Sequence, residues 1–176
     1  MTKIAAPTAY AEWLPLLEQF RDGEDAVLPA MQSGRLEWTN IVAERWTTRM
    51  SEAITVRLEK ISRQLQSALD RATGDAFSVS RAMLAARRAL TPLRAAAALP
   101  CLPDHVRKHF SGEVERFAAQ TQESLESSAK RIRSDGGAML KALRDNPLTA
   151  VEAPAADPEP PSDSSPPTAR GRRVLL

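Results

Sequence analysis

The sequence holds one cysteine, one tyrosine and two histidines, so it is poor in the residues that most often carry chemistry. Cys101 has no partner for an internal disulfide, which fits a reducing compartment such as the cytosol. Aromatic residues make up only 5% of the chain, and Val, Ile, Tyr and Phe never alternate over the length of a strand, which argues against a sheet. Ala95 to Pro103, the longest uncharged stretch near the middle, falls far below the roughly 20 apolar residues that span a bilayer. Glu12 interrupts any apolar leader, so a soluble, cytoplasmic protein is expected. No fixed repeat is present. Helix-turn-helix, zinc-finger and RNA-binding signatures are also missing.

What is present is helical periodicity. From Leu36 to Ala72 the chain has neither Gly nor Pro. Trp38, Val42, Trp46, Met50, Ile54, Leu58, Ile61, Leu65, Leu69 and Ala72 fall in one column there. The spacing predicts a helix over about 35–72, roughly 55 Å long at 1.5 Å per residue. A mean step of about 3.8 residues lies nearer an eleven-residue repeat than a heptad, favouring a globular bundle over a zipper. The remaining positions mix charge: Glu44, Arg45, Arg49, Glu52, Arg57, Glu59, Lys60, Arg63, Asp70 and Arg71 are expected to face water.

Before this helix, Thr8 is the expected N-cap of a short helix ending near Arg21, with Pro15 predicting a kink or a later start. A second short piece covers about 24–32, with Pro29 spoiling its interior and Ser33-Gly34 closing it. After it, Thr73-Gly74-Asp75 reads as a turn with Asp75 as the next cap. The helix at 76–99 has a core stripe of Val79, Met83, Ala86, Leu90, Leu93 and Ala97. It also has a small-residue flank of Ser78, Ala82, Ala85, Ala89 and Ala96, and Pro92 predicts a kink. Asp104 is the expected cap of a helix over 104–133, whose apolar character fades after Phe117. Gly136-Gly137 reads as a break before a short basic helix. The fold expected is therefore all-α. It is an antiparallel up-down-up bundle of three main helices with short N-terminal capping helices, occupying residues 1–146. Residues 147–176 are rich in Pro, Ser and acids, and are expected to form a disordered tail.

Net charge is only +2, but its distribution is uneven. Residues 1–44 hold seven acids and three bases, whereas residues 76–110 hold six bases and one acid, Asp104. Arg81, Arg87, Arg88 and Arg94 lie on one helix with no acid among them, which makes them the candidate binding residues. An acidic protein surface is the first partner they suggest, and phosphates of a nucleic acid the second; pairing within the bundle or a solvated face is the plainer alternative, and the apolar seam could equally serve a self-partner.

Three other candidates are weighed. His105, His109 and Glu113 follow at four-residue spacing and could share a metal, but Arg107 and Lys108 lie beside them. The Glu-x-x-His pairs of di-iron bundles are missing. Cys101 beside His105 could be a nucleophile, yet no oxyanion donor is identifiable. Pro158-Glu159-Pro160-Pro161 and the stretch from Arg170 to Leu176 are candidate docking peptides. No cofactor, metal or catalytic residue is expected. The leading functional expectation is a non-enzymatic scaffold or adaptor that binds another protein. A nucleic-acid-associated protein is the alternative, and a metal- or Cys-dependent enzyme comes third.

Overall fold

A computed structural model describes residues 5–72, 75–131 and 136–149. Among the described residues there are six α-helices and no strand. They are α1 (Tyr10–Asp22), α2 (Leu28–Ser33), α3 (Asn40–Ala72), α4 (Ala76–Ala97), α5 (Asp104–Arg131) and α6 (Gly136–Asp145). A 3-10 turn, Asp25–Val27, leads into α2. The fold is all-α. None of these helices is long and apolar enough to cross a membrane. The tail beyond Thr149 lies outside the described residues, as does Gly74.

The long helix begins five residues later than its periodicity suggests, because Thr39 caps it. The Thr39 Oγ1 accepts the Val42 N–H at 3.3 Å, and its carbonyl accepts that of Ala43. Trp38 therefore precedes α3, although it still joins the core. Of the column, Trp46, Met50, Ile54, Leu58, Ile61, Leu65 and Ala72 are buried. Arg57, expected at the surface, is only 7% exposed. It sits on the side of α3 that α1 covers.

At the other end of α1, Thr8 is displaced as the cap. The helix begins at Tyr10, and Glu12 reaches back to accept the N–H groups of Thr8 at 2.6 Å and Ala9 at 3.2 Å. These bonds hold the Glu12 carboxyl below the usual carboxylate range, the Thr8 N–H contributing most. The helix runs through Pro15 unbroken. Ala11 and Pro15 are both exposed, so the carbonyl freed by the missing proline N–H stays within reach of water. Gly23 ends α1 in the left-handed region, at φ 104°, and its N–H bonds to Phe20 O at 3.1 Å. Pro29 spoils nothing either. The 3-10 turn shifts the start of α2 so that the proline falls in its first turn, where an N–H is not needed.

Tryptophan organises one end of the core. Trp13 meets Trp46 edge-to-face at 5.9 Å, Trp38 meets it at 5.7 Å, and Phe110 of α5 at 6.2 Å. The Trp13 indole N–H donates to Arg35 O at 3.1 Å, and that of Trp38 to Cys101 O at 2.7 Å. Trp13 and Trp46 are fully buried and Trp38 is half-buried, so the N-terminal cap closes this end of α3.

Gly34 follows α2 with ordinary extended backbone, so its role is not conformational. A Cβ there would stand 2.6 Å from the Trp13 ring and 2.8 Å from Pro7. Gly34→Ala is expected to lower stability by about 1–3 kcal/mol through overpacking. Urea unfolding checks this, and an unchanged midpoint would mean that the ring has room to move.

The rest of the bundle is built on α4. All six predicted stripe residues, Val79 to Ala97, are buried. Pro92 lies inside the continuous helix. The first turn of α5 is closed by the Pro103 carbonyl, which accepts from Val106 and Arg107. Asp104 is thus already inside the helix, paired with Arg107. Gly136 and Gly137 open α6, which packs on α4 and α5. Packing continues past the expected boundary at residue 146, since Leu148 is buried.

Candidate interaction surface

The four candidate arginines part company in the structure. Asp75 caps α4, accepting the Ser78 N–H at 2.8 Å. From that start the helix turns Arg81 and Arg88 outward, exposed, and leaves Arg87 half-buried. Arg94 points into the assembly instead. Its Nε donates to Glu115 Oε1 at 2.6 Å, and its Nη2 donates to Glu115 Oε2 at 3.2 Å and to Leu148 O at 2.6 Å. This bidentate pair ties α4, α5 and the residues after α6 together. Arg94 is a structural clasp and drops out of the candidate surface.

The small flank is also partly taken. Ala82, Ala85 and Ala89 share a narrow crevice of about 80 Å³ with Ile61, Leu65 and Ala68 of α3. Those alanines let the two long helices approach closely.

Two side chains that the sequence reading passed over complete the outward face. Phe77 is 75% exposed and Leu84 40% exposed. Phe77, Arg81, Leu84 and Arg88 follow at steps of four, three and four, which is one helical face. Among the described residues, Arg81, Arg87 and Arg88 form no ion pair. The result is a stripe of alternating apolar and cationic groups with no acid in it. The signal was available: Phe77 and Leu84 are a heptad apart, off the core stripe, with Arg81 between them.

The candidate chemical sites do not assemble in the same way. His105 and His109 are exposed, and among the described residues no three His, Cys, Asp or Glu side chains come together to hold a metal. The carbonyl of Cys101 is occupied by Trp38. Burial raises the Cys101 thiol pKa above the ordinary thiol range, which keeps it protonated and weakly nucleophilic at neutral pH. Alkylation of Cys101 by iodoacetamide is therefore expected to be slower than that of a free cysteine at pH 7 and to rise with pH. A fast reaction at neutral pH would restore it as a candidate nucleophile.

One further concavity lies between α3 and α5. It is an open groove of about 740 Å³ lined by Thr47, Thr48, Ser51, Thr55 and Val56, with His109 on its other wall. The groove offers hydroxyls and apolar carbon, and Glu44 and Glu52 are the acidic residues along it.

No protein-family model matches the sequence, and neither a curated protein nor a solved structure is similar to it.

Proposed function

We propose that the chain is a non-enzymatic helical scaffold or adaptor, and that it binds another protein through the outward face of α4. The observation that carries this reading is that exposed Phe77 and Leu84 alternate along one face with Arg81 and Arg88, which form no ion pair among the described residues. An aromatic side chain and arginines are the residue types enriched at the energetic centres of interfaces. Their alternation suits an acidic partner with apolar anchors. Protein is favoured over nucleic acid because phosphate backbones give Phe77 and Leu84 nothing apolar to bury against. A reducing cytosol, implied by the lone half-buried thiol, is the setting this reading assumes.

The test is charge reversal of the two outward arginines, Arg81→Glu with Arg88→Glu. Surface changes of this kind leave stability within about 0.5 kcal/mol. Binding of the partner captured by the wild-type chain should fall by about ten-fold or more. An unchanged affinity would remove α4 as the contact surface. The nucleic-acid reading is discriminated by salt, since phosphate contacts weaken linearly in log salt with a slope near −0.9 per contact. No shift of DNA or RNA at low salt sets that alternative aside. Light scattering on the free chain reports whether the same face takes a second copy.

A further inference from the structure

We propose that residues 152–163 of the same chain lie over the outward face of α4 and compete there with the external partner. The inference rests on the reading of that face as a binding surface, and three observations carry it.

The first is charge. Residues 150–169 contain Glu152, Asp157, Glu159 and Asp163 and no base. This acidic stretch complements a face whose charged groups, Arg81 and Arg88, are cationic and unpaired among the described residues.

The second is the mooring point. Leu148 is buried and its carbonyl accepts the Arg94 Nη2 at 2.6 Å, so the residue four before Glu152 is held against α4. Arg88 lies six residues before Arg94 and Arg81 thirteen, about 9 and 20 Å along the helix axis and about 120° and 140° around it, so the segment must also pass around the helix. An extended chain leaving Leu148 reaches at most about 13 Å at Glu152 and about 30 Å at Asp157. Both arginines thus come within range before Asp163.

The third is the match in pattern. Asp157-Pro158-Glu159-Pro160-Pro161 alternates carboxylates with apolar rings, as the α4 face alternates guanidiniums with Phe77 and Leu84. Proline rings against an exposed aromatic are a common way for extended segments to dock. Each exposed ion pair is weak between separate molecules. Tethering changes the balance, because a short linker holds the segment at an effective concentration on the order of millimolar. A partner must then displace an acidic segment of similar chemistry to its own.

The experiment uses the full chain and phenylglyoxal, which modifies exposed guanidiniums, with each site read by peptide mass mapping. Wild type is compared with a variant carrying Glu152→Gln, Asp157→Asn, Glu159→Gln and Asp163→Asn. These changes fall outside the six described helices. Arg81 and Arg88 are expected to react roughly three-fold faster in the variant, with exposed Arg45 of α3 unchanged as the internal reference. The protection in wild type should not depend on protein concentration. Equal rates at Arg81 and Arg88 would overturn the inference. Protection that grows with concentration would also overturn it, by placing the segment on a second copy. The labelling needs no partner, so it separates the two proposals. If Arg81→Glu with Arg88→Glu leaves partner binding intact, the functional reading falls while the labelling result stands. Equal labelling rates leave the functional reading untouched.

Discussion

Trp46→Ala is expected to destabilise the fold by about 3–5 kcal/mol, a large share of the roughly 5–15 kcal/mol that holds a domain of this size together. Trp46 is fully buried and is the one ring touched by Trp13, Trp38 and Phe110. Truncation would open a cavity whose walls come from three different parts of the chain, and aromatic walls collapse poorly into such a space. The companion change, Trp46→Phe, separates shape from polarity. The Trp46 indole N–H is enclosed without a hydrogen-bond partner among the described residues. Phenylalanine removes that unmet donor while keeping much of the ring, so the loss should stay below about 1.5 kcal/mol. Urea unfolding followed by far-UV circular dichroism measures both. Equal losses for the two variants would mean that ring volume is not what matters at this position.

Arg57→Ala is the second large effect expected, about 2–3 kcal/mol. The Arg57 Nη1 forms an ion pair with Asp25 Oδ1 at 2.7 Å and donates to Phe20 O at 3.1 Å, and the guanidinium lies 4.4 Å over the Phe20 ring. One side chain of α3 thus holds both the C-terminal end of α1 and the turn after it. It also places a cation where the α1 dipole favours one. The loss should stop short of the 3–5 kcal/mol typical of a broken buried pair. Asp25 is half exposed and can rehydrate, and Phe20 O keeps its bond from Gly23. Arg57→Met, which fills the space without charge, should recover most of the stability. If alanine costs less than about 0.5 kcal/mol, the cap is fastened by its tryptophan contacts alone.

These two residues mark how far the sequence could be read. Trp46 was legible because its column repeats every three or four residues along one helix. The same local periodicity found all six stripe residues of α4 and the all-α class. Arg57 was not legible, since its column neighbours say nothing about a counter-charge 32 residues earlier. Arg94 failed for the same reason in the other direction, as Glu115 lies 21 residues later on another helix. Of the four arginines marked as a binding face, Arg81 and Arg88 stand outward, Arg87 is half-buried and Arg94 is consumed internally. Gly34 was recognised as punctuation, while its actual demand, room for the Trp13 ring, arises only once the cap has folded. Boundaries shifted where a cap overrode periodicity, as Thr39 does for α3.

The Arg94 clasp has a mechanical side. The last described residues are bonded at Leu148 to α4 and, through the shared guanidinium, to α5. Tension arriving through residue 149 is therefore delivered sideways, across two long helices at once. The free end of α6, which a direct pull would unwind turn by turn, is shielded until the clasp lets go.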